Sequence, residues 1–320
     1  MTAITDYGLI ADIGGTHARF ALVDAQGNIG APTVWMTRNY PSFADALMQY
    51  LKDIADDVRI TAVAICGAGP LLDNAIQLTN SVWRIERSQV EAVCKVRNSV
   101  LINDFTAIAL ALPFLAPTSL KLLGGGPPAP DAPMGVIGPG TGLGVSGLIP
   151  AGEGKYTPLA GEGGHVGLSP ASRREISIYS RLMEPRGHVP AETVLSGPGL
   201  ELLYTTIAAI DGALPESALG AADIARAARD EENGTAREAI QLFTGWLGAV
   251  AGDLALTLGA RGGIYIAGGM VPRLGELFEA HLFRHRFEAK GPYKSYLSAI
   301  PTWLITHEYP GLIGLASTLP

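Results

Sequence analysis

Gly8-Leu9-Ile10-Ala11-Asp12-Ile13-Gly14-Gly15-Thr16-His17-Ala18-Arg19-Phe20-Ala21-Leu22-Val23-Asp24 is the stretch whose reading decides the fold. Gly8 to Ala11 enter as a buried strand, Asp12 stands at its end, and Ala18 to Asp24 leave as a second, largely apolar run. Apolar runs on both sides of a Gly-Gly-Thr turn predict a β-hairpin rather than the strand-to-helix turn of a P-loop. Consecutive amides and a threonine hydroxyl in such a turn can face a phosphate. Asp12 is placed to hold a hydrated Mg²⁺ directly or through water. Taken alone the turn is weak, since an ordinary hairpin with a buried Asp has the same pattern.

The pattern recurs. Val136-Ile137 leads into Gly138-Pro139-Gly140-Thr141-Gly142-Leu143-Gly144-Val145, and the chain leaves again through an apolar run to Ile149. A strand, a glycine-threonine turn and a strand in each half read as an internal duplication. Two such turns facing each other would clamp the phosphates of one nucleotide. Between them, Thr61 to Ile65 and Val100 to Ile102 read as short buried strands, and Ser88-Gln89-Val90-Glu91 has the spacing of a capping box. Asn103-Asp104 sits at the carboxyl end of the later strand, before a helix from about Phe105. That is the crevice-facing end in α/β proteins, though an Asp there also caps helices; one residue can do both. Leu122 to Pro133, rich in glycine and proline, reads as a mobile connection near the start of a second domain.

Gly161-Glu162-Gly163-Gly164-His165 brackets a carboxylate and an imidazole with glycine. Glycine permits close approach and positive φ, and Glu with His suits a polyol, whose hydroxyls each group can hydrogen-bond directionally. The plainer alternative is a turn with two solvated polar residues. A helix is expected from Ser172 to Met183, and Glu192, which by itself reads as a surface residue, precedes Leu195-Ser196-Gly197-Pro198-Gly199. Thr235-Ala236-Arg237-Glu238 looks like another capping box. It opens a long helix whose Ile240, Phe243, Leu247, Val250, Leu254 and Leu258 mark a single buried face. Gly263 to Ala267 is a strand ending in Gly268-Gly269, where a flat group such as adenine can lie against the backbone; a tight turn is the alternative. Phe283 to Tyr296 lacks a helical period and reads as surface, and Gly311 to Leu319 as a short apolar helix able to return to the first domain.

Composition narrows the functions. At 320 residues, with 48% apolar and 17% charged residues, the chain has enough for two globular domains and is not a disordered one. A net charge of −7 gives no electrostatic case for nucleic acid or an anionic membrane. Cys66 and Cys94 form no Cys-x-x-Cys pair, so they read as buried reduced thiols of a cytoplasmic protein. No signal peptide is legible at the N-terminus. Charged or proline residues such as Asp104, Pro113, Asp253 and Arg261 interrupt the apolar stretches before membrane-spanning length.

Two phosphate-facing turns, a metal-type Asp, a polyol-type Glu/His pair and an Asp at a strand end jointly fit phosphoryl transfer from a nucleotide to a sugar hydroxyl. A two-domain protein closing on its sugar keeps water from the nucleotide. At this point Asp12-Ile13-Gly14-Gly15-Thr16-His17-Ala18-Arg19, Ile102-Asn103-Asp104-Phe105-Thr106-Ala107, Gly138 to Gly144, Gly161 to His165 and Leu195 to Gly199 are similar, in order and spacing, to the bacterial glucokinase family. The resemblance runs from about Leu9 to the C-terminus. It implies an α/β, two-domain actin-like ATPase (ribonuclease H-like) fold with an interdomain cleft. The small domain would comprise 1–114 plus 305–320 and the large domain 115–304, in a typically homodimeric protein.

By the same resemblance Asp104 is the base acting on the sugar 6-hydroxyl of D-glucose. Asn103, Asp104, Glu162, His165 and Glu192 contact the sugar. Gly14, Gly15, Thr16, Gly140 and Thr141 surround the phosphates of ATP, Gly268 and Gly269 lie beside the nucleoside, and Asp12 serves Mg²⁺. Two departures stand out. No cysteine follows His165, which excludes the zinc motif of the related regulator-and-kinase family, and position 17 is His where Asn is expected. The alternatives are a non-catalytic sugar-sensing protein or a kinase for another hexose.

Overall fold

In the computed structural model, which describes residues 4–79, 81–213, 219–230 and 234–320, the opening hairpin forms as read. β1 (Thr5–Ile13) and β2 (His17–Val23) run antiparallel, with Asp12 opposite Arg19 and Ile13 opposite Ala18. β3 (Thr33–Met36) extends this hairpin, and α1 (Phe43–Asp53) follows, capped by Ser42 on the amide of Asp45. β4 (Val58–Gly67) lies parallel to β1. β5 (Leu71–Leu72), β6 (Ala75–Gln77) and β7 (Arg84–Glu86) make a small separate sheet. α2 (Arg87–Cys94), β8 (Ser99–Asn103) and α3 (Asp104–Ala111) complete this part, and the main sheet has the order β3-β2-β1-β4-β8.

Alternation along β1 explains why both faces of this sheet are covered. Leu9, Ala11 and Ile13 pack with Phe20, Phe43, Tyr50 and Trp83 on one side. Ile10 packs with Ala21, Ala64, Cys66, Ala107, Leu312 and Leu315 on the other. The second layer includes the closing helix Pro310–Ala316, which lies on α3, β1 and β4. Gly314 allows that approach, because a Cβ there would run into the Ala107 carbonyl. Met1–Pro117 with His307–Pro320 form one compact unit, and Thr118–Thr306 form a second.

The second unit begins with β9 (Leu120–Gly124) and then repeats the first theme: β10 (Met134–Pro139) and β11 (Leu143–Gly152) are an antiparallel hairpin, extended by β12 (Lys155–Ala160). After α4 (Arg173–Met183), α5 (Gly197–Ile210), α6 (Ala221–Ala227) and α7 (Gly234–Leu258), β13 (Gly263–Ile266) pairs parallel to β10. α8 (Met270–Leu274), α9 (Ala280–Glu288) and α10 (Lys294–Ala299) lead to β14 (Thr302–Ile305), parallel to β13. The order is β12-β11-β10-β13-β14-β9. An antiparallel three-strand meander followed by two parallel strands thus occurs in each unit, as the duplicated motif predicts.

Several local expectations fail for identifiable reasons. Leu122 to Gly124 are not loop: they pair with Trp303 and Thr302 of β14, a partner far away in the chain. Ser88 lies inside α2, and Glu91 accepts instead from the amide and hydroxyl of Ser99, both at 3.2 Å, tying α2 to β8. Thr235 likewise lies within α7, whose run from Phe243 to Gly252 is buried on every side rather than on one face. That burial reflects packing against α5, α6, α9 and β10. Asp253 does not interrupt α7, which by length and composition could cross a membrane; 72% of its most apolar window is buried inside the protein, which makes it a core helix. Phe283 to Tyr296 is not plain surface either. Phe283 and Phe287, one turn apart on α9, are fully buried, and Arg284 donates to the Ile300 carbonyl at 3.0 Å and to Glu288 at 2.7 Å.

Candidate active site

In the first unit the candidate residues collect at the carboxyl ends of neighbouring parallel strands. Register places Asp12 beside Cys66, Ile13 beside Gly67, and Gly67 beside Asn103. The Gly14-Gly15-Thr16 turn is pinned from both directions. Gly14 N donates to His17 O at 2.9 Å, while Thr37 donates its hydroxyl to Gly15 O at 2.7 Å and its amide to Thr16 O at 3.0 Å. Thr16 stays exposed, and His17 is half-buried, opposite Met36 in the strand register. The Asp12 carboxylate takes a 3.3 Å ion pair from Arg19, whose guanidinium also lies 5.7 Å from the Tyr309 ring centre.

Asn103, not Asp104, is the N-cap of α3: its Oδ1 accepts from Phe105 N at 2.8 Å and Thr106 N at 3.3 Å. Its Nδ2 donates to Gly69 O at 3.2 Å, fixing the loop after β4. Asp104 is the first residue of α3, half-buried, with Oδ1 2.9 Å from Phe105 N. Burial pushes the Cys66 thiol well up, and the negative charges of Asp12 and Asp104 add to that push, so both carboxylates act on one buried sulfur.

In the second unit the candidates converge on the Gly140-Thr141-Gly142 turn. Gly140 N donates to Gly142 O and Gly197 N to Gly140 O, each at 2.8 Å. Gly268, with φ +80°, closes on the base of the turn: a Cβ there would come within 2.5 Å of Pro139 O. Glu192 stands in the short turn Ala191–Thr193 and accepts from Leu143 N at 2.7 Å. Glu162 and His165 are both exposed, Glu162 just before and His165 at the end of a single turn, Gly163–His165, laid over the start of β11. Gly164 has no room for a side chain above the Leu143 carbonyl, and a Cβ on Gly163 would meet Val145 at 2.8 Å. The chain then runs beside the segment leading to Glu192, with Leu168 N on Val189 O at 2.9 Å and Ala191 N on Val166 O at 2.8 Å.

The first unit therefore gathers Asp12, Gly14, Gly15, Thr16, Asn103 and Asp104, and the second gathers Gly140, Thr141, Glu162, His165, Glu192, Gly268 and Gly269. Sequence reasoning gave no role to Arg19, although its place opposite Asp12 follows from counting outward from the turn. Nor did it give one to Thr37, 22 residues from its partner, for which no sequence signal exists. Among the described residues no group of three or more His, Cys, Asp or Glu could hold a metal ion. Mg²⁺ is commonly held by one or two carboxylates, completing its shell with phosphates and water. Asp12 alone, at the edge of the phosphate-type turn, fits that donor set.

A family model described as Glucokinase matches residues 9–320. A glucokinase of Paramagnetospirillum magneticum is 45% identical over 309 residues, covering 96% of this chain and 96% of that one. Among solved structures, a glucokinase from an Antarctic psychrotroph superposes with a TM-score of 0.87 at 33% identity, covering 98% of both chains. A glucokinase from Balamuthia mandrillaris, solved in complex with glucose, has a TM-score of 0.82 at 23% identity over 98% of this chain and 93% of that one, a likeness of fold. The expected actin-like ATPase fold is borne out.

Proposed function

This chain belongs to the glucokinase family, and on that premise we propose that it transfers the γ-phosphoryl group of ATP to the 6-hydroxyl of D-glucose. The products are glucose 6-phosphate and ADP, the first step of glycolysis. The observation that carries the reading is Asp104: a carboxylate stationed at the end of β8 as the first residue of α3, with Asn103 doing the capping. An alcohol is a poor nucleophile until its proton is being removed. Asp104 accepts the 6-hydroxyl proton as the new O–P bond forms and the bond to the β-phosphate oxygen breaks.

Asn103, Glu162, His165 and Glu192 hold the remaining glucose hydroxyls. The amides of Gly15 and Thr141, with the Thr16 hydroxyl, take the phosphates, since such turns present N–H groups to anions, while Gly14 and Gly140, whose own N–H groups close their turns on His17 O and Gly142 O, let the backbone come close. Gly268 and Gly269 leave backbone bare for the nucleoside. Asp12 would hold Mg²⁺, directly or through water, and the ion neutralises charge on the phosphates. Arg19 keeps the Asp12 carboxylate in place at the strand end. The family suggests a cytoplasmic homodimer.

The test is ADP formation from ATP and Mg²⁺ with D-glucose, mannose, fructose, N-acetylglucosamine or no sugar. Turnover that depends on glucose is the expected result. Faster turnover on another sugar would overturn the specificity, and glucose binding without turnover on any sugar would turn the reading to a sensor.

A further inference from the structure

The backbone of Leu143 lies between Glu192 and the turn that carries Glu162 and His165. Its N–H donates to Glu192 Oε2 at 2.7 Å, and its carbonyl lies directly beneath Gly164 of the Glu162/His165 turn. Leu143 is also the residue that follows the Gly140-Thr141-Gly142 turn. Gly142 rests on the same carboxylate, so that a Cβ there would come within 2.5 Å of Oε2. The entry of the turn is tied to the same place. Gly140 O accepts from Gly197 N at 2.8 Å, and the preceding Ser196 donates its hydroxyl to the Glu192 carbonyl at 2.9 Å while capping Gly199 N at 3.0 Å.

A carboxylate serving only as a sugar ligand has no need of a backbone amide from the phosphate turn. Glu192 commits one oxygen to that amide, and a carboxylate has a second oxygen with which to accept from a hydroxyl. We propose that Glu192 is a positioning residue for the nucleotide as well as a sugar ligand. Its side chain fixes the exit of the Gly140–Leu143 turn and its backbone, through Ser196 and Gly197, fixes the entry. Nucleotide affinity then depends on Glu192 even when no sugar is present, and a change in the turn is felt by the sugar, because coupling between two ligands is reciprocal. This rests on the glucokinase reading above for the identity of the two ligands.

The experiment measures dissociation constants for Mg-AMPPNP without sugar, and for glucose without nucleotide, in the wild type, Glu192→Gln, Glu192→Ala and Gly142→Ala. The Gln amide oxygen still accepts from Leu143 N, so Glu192→Gln should hold the nucleotide within about twofold of wild type while weakening glucose. Glu192→Ala strands a backbone donor beside the turn and should weaken Mg-AMPPNP by about tenfold. Gly142→Ala displaces the carboxylate and should weaken glucose by about tenfold from a residue of the phosphate turn. Unchanged nucleotide affinity in Glu192→Ala overturns the proposal. If that variant melts below the assay temperature, unchanged glucose affinity in Gly142→Ala overturns it equally. A wild type that binds Mg-AMPPNP but not glucose would sink the glucokinase reading, and the nucleotide arm would still decide the role of Glu192 in the turn.

Discussion

Replacing Asp104 by Asn removes one proton acceptor at the start of α3 and keeps the shape of the side chain. The α3 N-terminus keeps its cap, because Asn103 Oδ1 holds the amides of both Phe105 and Thr106. The second acceptor for Phe105 N, now Asp104 Oδ1 at 2.9 Å, survives as an amide oxygen. One negative charge in the first turn is lost, worth about 0.3–1 kcal/mol against the helix dipole. Melting should therefore fall by no more than about 3 °C. General base catalysis contributes about 10²–10⁴-fold, or roughly 3–5 kcal/mol in the barrier, several times the structural effect. The assay is ADP release at saturating ATP and glucose, with glucose binding by calorimetry and a melt on the same sample. A kcat within tenfold of wild type, with the melt unchanged, would refute the assignment of Asp104 as base.

Three further outcomes follow from other parts of the molecule. Cys66 and Cys94 are both pushed above the usual 9.0, Cys94 to about 12, so the folded chain keeps protons that the unfolded chain releases. Stability is whole below about pH 9 and falls as pH rises from there through about 12. The urea midpoint should drop between pH 9 and 10.5 by less in a Cys66→Ala/Cys94→Ala variant than in wild type, and parallel declines would contradict this. Leu315→Ala opens the layer between the closing helix and the β1–β4 sheet, where Leu315 is fully buried; it should cost about 2–5 kcal/mol by urea denaturation, and a loss below 1 kcal/mol would mean the helix is not part of that core. Excess EDTA should abolish turnover, reversed by Mg²⁺, and leave the melting temperature of the nucleotide-free chain unchanged, since no metal cluster exists among the described residues; a lowered melt would reveal a resident ion.

The hairpins, the Asn103-Asp104 strand end and the duplication were legible because each is written in adjacent residues: a run, a turn, a run. What escaped was whatever depends on distant backbone. β9 is a strand only because β14 offers it an edge, and α7 is buried all round only because helices and strands distant in the chain surround it. The glycines illustrate the same divide. They were readable as marks of a site, but positive φ is not what most of them supply; of the site glycines Gly268 alone has it. Gly164 is required because a carbonyl lies where its side chain would be. The grip of Glu192 on Leu143 has no side-chain signature at the receiving end, since any residue presents the same N–H. No reading of residue types could have found it.

The return of the chain to its first sheet sets an order of events during synthesis. Strands β1 to β8 are complete by Asn103, and the second unit, Thr118–Thr306, is one uninterrupted segment that can finish by itself. Leu312 and Leu315, which cover Ile10, Ala21, Ala64 and Cys66, leave the ribosome only after the whole second unit. At roughly 5–20 residues per second, the intervening segment takes on the order of 10–40 s to make. For that interval the greasy face of the earlier sheet has α3, through Ala107, but not the closing helix to cover it. The unit that holds β1 to β8 is begun before the second unit and sealed after it, so the nascent protein is more exposed to misassociation while its second unit is being made.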